Sequence, residues 1–227
     1  MKVAVYTLTR ERLDYTKHCF SVLRELAGHA FDHYVVDNGS QDDTVEWLVS
    51  EYQAQQPGVV VIPNETNVGI SIASNQALDE IGDGYDLIFK IDNDCEVLYD
   101  GIIRRIVQIY ENMPSLRGEY MLSPKVEGIV NQPSRARYTM VDDCKLGVTG
   151  IVGGLFHVMR AQIYQQYRYD PNLPKARGQD EGVCGWFRKN GGTCAYIEDL
   201  TVAHYETTEG QAKRYPEYFE RKWEEEK

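Results

Sequence analysis

The sequence has no apolar stretch long enough to cross a membrane, and Met1–Val5 enter a strand-like run directly, without a signal-peptide pattern. Its five cysteines form no C-x-x-C pair and no zinc-ligand spacing. An odd, scattered set of cysteines is typical of reduced thiols rather than of a disulfide framework. These absences argue against a membrane-spanning or disulfide-stabilised protein and predict a soluble, cytoplasmic one.

Positive charge is also scarce. The 227 residues carry a formal net charge of −11, which disfavours broad electrostatic adhesion to nucleic acid or to an anionic membrane. A local basic groove stays open, because Arg135, Arg137, Lys175 and Arg177 lie in predicted loops. No repeat, low-complexity tract or linker interrupts the chain, and 42% of it is apolar. We therefore expect one domain, 1–227, with a substantial core.

The first hundred residues alternate short apolar strands with amphipathic helices. Alternation at this spacing predicts an α/β fold, in which helices flank a mostly parallel, Rossmann-like central sheet with right-handed crossovers. Helix starts are expected at Asp14, Ser40 and Asp100, whose side chains can cap a first turn. Strands are expected at 3–8, 31–36, 59–62 and 85–91, with a helix after each.

An aspartate pair, Asp92-Asn93-Asp94, follows the fourth of these strands. Ligands collect at the carboxyl edge of open α/β sheets. Mg²⁺ and Mn²⁺ prefer hard oxygen ligands and commonly bind one or two carboxylates together with phosphate oxygens. The motif therefore predicts a metal-diphosphate site, and the alternative is an ordinary Asp/Asn turn after a buried strand.

Other polar or glycine-rich motifs fall at further predicted strand ends and helix starts. Taken singly, each has a structural alternative: a turn, a helix cap, a close backbone approach or a buried histidine. The carboxylate of Asp37, in the first motif named below, could also accept a hydrogen bond from the N3-H of a uracil. The motifs are Asp37-Asn38-Gly39-Ser40, Asn67-Val68-Gly69 with Asn75, Gly153-Gly154, Gln179-Asp180 and His204.

In this order and spacing, the motifs make nearly the whole chain resemble the family 2 glycosyltransferases, which have the GT-A fold. The resemblance implies transfer of a sugar from a nucleotide-sugar, most often UDP-linked, with Mn²⁺ or Mg²⁺ as cofactor. It divides the domain into a nucleotide-binding part (1–98), an acceptor and catalytic part (99–212) and a C-terminal helix (213–227). The strands and mobile loop expected at 124–146 would then include a lid, 131–144, on the acceptor side of the donor.

The resemblance also implies roles for single residues. Asp92 would lie near the ribose and diphosphate, Asp94 and His204 would bind the metal with Asp92 beside them, and Asp180 would be the catalytic base. The donor pocket would be formed by the residues at the ends of the first strands and by the turn and glycine motifs: Thr7, Thr9, Arg10, Asp37, Asn67, Gly69, Asn75, Asn93, Gly153 and Gly154.

The chain departs from the family pattern around the expected base. Gln179 stands where the family has Glu, Gly182 stands at a further acidic position, and Trp186 stands near a usual Arg. Glu181 is therefore a rival to Asp180. A single base with direct in-line attack would invert the anomeric centre, although retention stays open.

Two other functions compete. A sugar nucleotidyltransferase needs a glycine-rich, basic loop after its first strand, and residues 7–12 contain no glycine. A non-catalytic sugar- or nucleotide-binding module is disfavoured by the presence of both the aspartate pair and a plausible base. The donor sugar and the oligomeric state stay open, as does the acceptor: saccharide, lipid carrier, protein or modified nucleobase.

The C-terminus carries an apolar stripe at helical spacing: Tyr215, Tyr218, Phe219 and Trp223. We expect this helix to pack on the flank of the sheet. A membrane-surface or partner-binding helix is the alternative.

Overall fold

A computed structural model describes residues 1–113, 118–128, 133–175 and 177–225, in which ten strands form one sheet. The strands are β1 Val3–Thr9, β2 Asp32–Asn38, β3 Val59–Asn64, β4 Leu87–Ile91, β5 Cys95–Val97, β6 Tyr120–Glu127, β7 Arg137–Val141, β8 Cys144–Thr149, β9 Phe156–Arg160 and β10 Thr193–His204. The helices are α1 Leu13–Leu26, α2 Thr44–Trp47 with a π-helical continuation Leu48–Gln53, α3 Ile70–Ile81, α4 Ile102–Asn112, α5 Ala161–Tyr164, α6 Gln179–Lys189, α7 Thr208–Arg214 and α8 Pro216–Glu225.

The sheet has the strand order β3-β2-β1-β4-β9-β6-β10-β8-β7, and β5 pairs with β10. The first four strands are parallel, as predicted. Beyond β4 the sheet is mixed, because β9 runs antiparallel to both β4 and β6, and β8 and β7 form an antiparallel hairpin at the far edge. The α/β fold is confirmed, and the description "mostly parallel" holds for its N-terminal half alone.

Successive residues of the central strands are buried on opposite faces of the sheet. Val5 and Phe89 face a cluster that includes the apolar residues of α4. Tyr6 and Ile88 face a second cluster, which packs against α3, α5 and α6. Because both faces of the central strands are covered, polar groups of this sheet become accessible at its carboxyl edge.

The predicted helix starts are shifted. Helix α2 begins at Thr44, and Ser40 instead donates from its hydroxyl to Asp37. Helix α1 begins at Leu13, so that Asp14 lies inside its first turn, and α4 begins at Ile102, two residues after Asp100. Ser40 could cap a helix but bonds to Asp37 instead, and Asp14 and Asp100 lie one or two residues from the start of their helices. Spacing in the sequence does not distinguish these cases.

The expected lid at 131–144 is largely regular structure where it is described. Its residues 131 and 132 lie outside the described residues, whereas Arg137–Val141 pairs with Cys144–Thr149 in the antiparallel hairpin. In the described ranges, no helix has the length and apolar character needed to span a membrane.

Candidate functional site

Two cavities open at the carboxyl edge of the sheet and share one wall. The first, of about 300 Å³, is lined at and beyond the ends of β1, β2 and β4 by residues such as Thr9, Arg12, Asn38 and Asp94, and we call it the nucleotide-side cavity after the part of the chain predicted to bind the nucleotide. The α6-side cavity, of about 570 Å³, is lined by Gly153, Gly154, Asp180 and Glu181, among others. The residues that line both are Ile70, Lys90, Asp92 and His204. The two cavities therefore meet at the end of β4, between α3 and the end of β10.

The aspartate pair forms the turn that ends β4. Cys95 donates its backbone N–H to the Asp92 carbonyl over 3.1 Å, which closes the turn. Oδ2 of Asp94 lies 3.3 Å from Nη1 of Arg12 and accepts a hydrogen bond from Gln211 over 3.3 Å. Nη2 of Arg12 donates to Asn93 over 3.2 Å. One guanidinium thus fixes two consecutive residues of the motif.

The two aspartates differ in their surroundings. Burial opposes the ionisation of Asp94, but the positive charge of Arg12 and the neighbouring His204 outweigh it, so that the pKa of Asp94 is lowered. Burial dominates at Asp92, and although Lys90 opposes it, the pKa of Asp92 is raised. Asp94 is therefore the more firmly ionised carboxylate of the pair.

Lys90 occupies the wall between the cavities. It lies in the buried strand β4, and its ammonium donates to Asp92 and to the carbonyl of Gly154. Burial alone would lower the pKa of Lys90, but the carboxylates of Asp92 and Asp180 outweigh it and raise that pKa. The lysine is charged and is surrounded by the groups that were predicted for both halves of the site.

Asp180 lies in the first turn of α6. The helix begins directly after Gly178, which adopts a positive φ of 84°. Oδ2 of Asp180 accepts a hydrogen bond from the Gly154 N–H over 2.8 Å. A Cβ atom on Gly154 would stand 2.5 Å from Oδ1 of Asp180, so that only glycine allows this approach. The Gly-Gly motif and the acidic motif are thus in direct contact, which their separate places in the sequence did not indicate.

The neighbours of Asp180 are placed differently from each other. Glu181 lines the α6-side cavity as well and therefore stays a rival base. Gln179, which replaces the family's Glu, is buried, and its amide donates to the carbonyl of Pro174 over 2.9 Å. Gln179 therefore holds the preceding loop.

His204 ends β10 and lines both cavities. It is drawn towards the aspartate pair by the antiparallel pairing of β10 with β5 and by the bond from the Tyr205 N–H to the Asp94 carbonyl, 2.8 Å long. Two carboxylates and an imidazole suit Mn²⁺ or Mg²⁺ in donor type. Within the described ranges, however, no three acidic, histidine or cysteine side chains are gathered as a metal cluster. The contacts of Asp94 with Arg12 and of Asp92 with Lys90 supply cationic partners there instead.

Four residues of the predicted donor pocket line the nucleotide-side cavity together with Asp92: Thr9, Arg10, Asn67 and Asn93. Thr7 and Asp37 are fully buried and do not appear in its lining. The Thr7 hydroxyl bonds to His33 over 3.0 Å, and the oxygens of Asp37 accept from Thr9 and Ser40. The Asp37 carboxylate is thus hydrogen-bonded within the carboxyl ends of β1 and β2. Asn38, the next residue, lines the cavity instead.

The Asn-x-Gly motif organises the loops around the cavity. Asn67 accepts from the Asn38 side chain and from the Gly69 N–H, over 2.9 and 3.0 Å. Gly69 has a φ of 86°, and a Cβ there would lie 3.2 Å from the Cα of Lys175, so that the glycine allows that loop to approach. Asn75 bonds the backbone of Tyr169 in both directions. Neither Gly69 nor Asn75 is among the residues that line either cavity.

The C-terminal segment covers the nucleotide-side cavity. It forms two helices, and Gln211 of α7 together with Tyr218 and Phe219 of α8 lines the opening. Gln211 accepts from Arg12 over 2.6 Å, and the Tyr218 ring lies 4.9 Å from the Arg12 guanidinium. The expected position on the flank of the sheet was therefore wrong, because Tyr218 and Phe219 of the apolar stripe are buried over the carboxyl edge, whereas Trp223 is exposed.

Sequence reasoning missed Lys90, Arg12 and Gln211. Lys90 carried a signal, since it is the one charged residue inside the run 87–91. Arg12 carried a weaker one, as part of a basic segment after β1. Gln211 carried none, because its partners Arg12 and Asp94 are far away in sequence.

Known proteins share the family and the fold of this chain. The model of one family, Glycosyl transferase family 2, matches residues 4–168. A comparison with curated protein sequences finds no match. Among solved structures, GalNAc-T7 with UDP, GalNAc and Mn²⁺ superposes with a TM-score of 0.71 at 15% identity, over 92% of this chain and 44% of that one.

Two further structures share the fold. The mannosyltransferase PcManGT from Pyrobaculum calidifontis, in complex with GDP-Man and Mn²⁺, has a TM-score of 0.66 at 13% identity, over 92% of this chain and 58% of that one. S. aureus TarS 1-349 in complex with UDP-GlcNAc has a TM-score of 0.63 at 16% identity, over 91% and 60%. The chain thus spans about half the length of the structures that it matches.

Proposed function

The chain belongs to glycosyl transferase family 2, and we propose that it transfers a sugar from a UDP-linked donor to an acceptor hydroxyl. The observation that carries this proposal is the shared wall between the two cavities, where Lys90 and Asp92 meet Gly154 and Asp180. The new bond must form between donor sugar and acceptor, and this wall is where the two cavities meet. The structures with UDP, UDP-GlcNAc and GDP-Man support a nucleotide-sugar as the donor class.

The nucleotide would occupy the cavity beside β1, β2 and β4. Asn38 and Asn67 present amides there, Arg10 and Lys175 supply positive charge for a diphosphate, and the Tyr218 ring covers the opening. Asp37 would act through Thr9 and Ser40 by fixing the loop, since its oxygens are used within the protein.

Asp94, His204 and Asp92 are the residues that would hold Mn²⁺ or Mg²⁺, and their donor atoms suit either ion. A bound divalent ion would supply Lewis-acid stabilisation of the departing diphosphate. The Arg12 guanidinium and Gln211 share Oδ2 of Asp94, so that these two side chains would have to move for the carboxylate to bind a cation fully.

Asp180 would act as the general base on the acceptor. The acceptor hydroxyl attacks the anomeric carbon of the donor sugar, its proton passes to the Asp180 carboxylate, and the C1–O bond to the diphosphate breaks with its electron pair on the leaving oxygen. Attack from the α6-side cavity on a donor held in the nucleotide-side cavity is a single displacement, which inverts the anomeric centre.

The test is release of the nucleoside diphosphate. The purified chain is incubated with a panel of UDP- and GDP-sugars and Mn²⁺, without acceptor, since water can replace the acceptor slowly. We expect UDP from at least one UDP-sugar. Release of pyrophosphate from UTP and a sugar phosphate, or binding without any turnover, would refute the proposal.

A further inference from the structure

Lys90 breaks the pattern of the strand that carries it. Its neighbours in the strand, Ile88, Phe89 and Ile91, are all buried and apolar. In register, Lys90 faces Tyr6 on β1 and His157 on β9, both fully buried. An apolar residue would satisfy this position without the cost of burying a charge, which several kcal/mol of partner interactions must offset.

The contacts of Lys90 join the two halves of the site. Its ammonium donates to the carboxylate of Asp92, on the side that the nucleotide would occupy. It also donates to the carbonyl of Gly154, whose own N–H donates to Asp180 over 2.8 Å. A chain of hydrogen bonds therefore runs from Asp92 through Lys90 and Gly154 to Asp180.

The geometry points to Lys90 as a positioning residue that fixes Asp92 and, through Gly154, Asp180 relative to each other across the wall between donor and acceptor. The inference rests on the proposed function, because it assigns Asp92 to the donor and Asp180 to the acceptor. An ammonium has three donors, and the described contacts of Lys90 use two of them, towards Asp92 and Gly154. The side chain lines both cavities and therefore borders the space in which the transferred sugar would lie.

A purely structural lysine would affect folding but would leave turnover of the folded protein intact. A positioning lysine makes a different prediction, because it acts on the arrangement of the base and not on the capture of the donor alone. We expect Lys90→Met to lower kcat for donor hydrolysis about 100-fold and to raise the donor KM less than tenfold. Lys90→Arg keeps a cation at the position and is expected to recover part of kcat. The matched control, Lys189→Met, removes the same charge from the exposed end of α6 and should behave as wild type.

A second comparison covers the case in which Lys90→Met fails to fold because Asp92 is left buried without its cation. Asp92→Asn and the double variant Lys90→Met/Asp92→Asn both remove that unpaired charge. If Lys90 also holds Gly154 and Asp180, the double variant has a kcat about tenfold below that of Asp92→Asn alone. Equal kcat values would overturn the inference, as would a folded Lys90→Met with wild-type kcat. Failure of the wild-type chain to turn over any nucleotide-sugar would instead refute the proposed function first.

Discussion

The backbone N–H of Gly154 donates to Oδ2 of Asp180 over 2.8 Å, and the carbonyl of the same residue accepts from Lys90. Gly154 therefore holds an acidic side chain and a basic one through a single residue of main chain. Both contacts use the main chain of Gly154, so that this position requires a residue without a side chain that would fill the space.

Gly154→Ala is expected to lower kcat about 100-fold, since its Cβ would stand 2.5 Å from Oδ1 of Asp180 and push the carboxylate away. Donor affinity should change little. The neighbouring Gly153→Ala is the matched control, because the nearest atom to its Cβ is the Tyr196 hydroxyl at 4.0 Å. Steady-state kinetics of both variants decide the matter. Equal losses in the two would mean that the loop tolerates no side chain at all and that Asp180 is not the cause.

Asp180→Asn is expected to abolish transfer, with a loss of 10²- to 10⁴-fold in kcat, because an amide cannot accept the acceptor's proton. Nucleotide binding, measured by calorimetry with UDP, should stay nearly unchanged. Glu181→Gln, one residue along in the same cavity, is the comparison and should retain most activity. The base assignment would be wrong if donor affinity collapsed in Asp180→Asn, or if Glu181→Gln showed the larger loss of kcat.

Gln211→Ala removes the side chain that accepts from Arg12 over 2.6 Å and contacts Asp94 over 3.3 Å. We expect the C-terminal helices to hold the cavity opening less firmly, and UDP affinity measured without a divalent ion to fall about tenfold, which is typical for the loss of a hydrogen bond to a charged group. Lys213→Ala, which breaks an exposed pair with Glu209 on the same helix, should leave the affinity unchanged. Unchanged affinity in Gln211→Ala would show that α7 covers the cavity without contributing to binding.

His157 is buried beside Lys90, and burial, helped by that positive charge, lowers the pKa of His157 from 6.5 to about 3. A folded-state pKa below the unfolded one stabilises the fold above pH 6.5 and loses that contribution as the pH falls towards 3. We expect the wild type to lose about 3 kcal/mol more stability than His157→Gln between pH 7 and pH 4, in urea unfolding at each pH. His29→Gln serves as the control. Parallel curves for wild type and His157→Gln would contradict a neutral, buried His157.

The N-terminal half of the fold could be read from the sequence because its pattern is local. Strands β1 to β4 are short apolar runs separated by amphipathic helices, and the parallel order follows from crossover rules. The position of Asp92-Asn93-Asp94 at the sheet edge followed from the strand before it. The second half depends on pairings such as β6 with β10, which join residues about seventy positions apart and leave no periodic signal.

The side-chain partners were harder to foresee than the elements. Asp37 looked like an accessible acceptor, but Thr9, from the neighbouring strand, and Ser40, from the following turn, use its oxygens. A contact between residues of two strands can be predicted only when the register of those strands is known, and here the register places Thr9 opposite Asp37. The site could therefore be predicted as a set of strand ends, whereas the contacts within it depended on register and on the C-terminal helices.

The shared wall has a consequence for how substrate choice can change over time. The nucleotide-side lining comes mainly from the first hundred residues and the last twenty, whereas the α6-side lining comes mainly from residues 153–196. Mutations that alter one lining leave the other in place, as long as Lys90 and Asp92 stay fixed on β4. Under the proposed function, donor and acceptor preference can therefore be inherited as separate traits, and we expect chains with this architecture to exchange acceptors while keeping the same nucleotide.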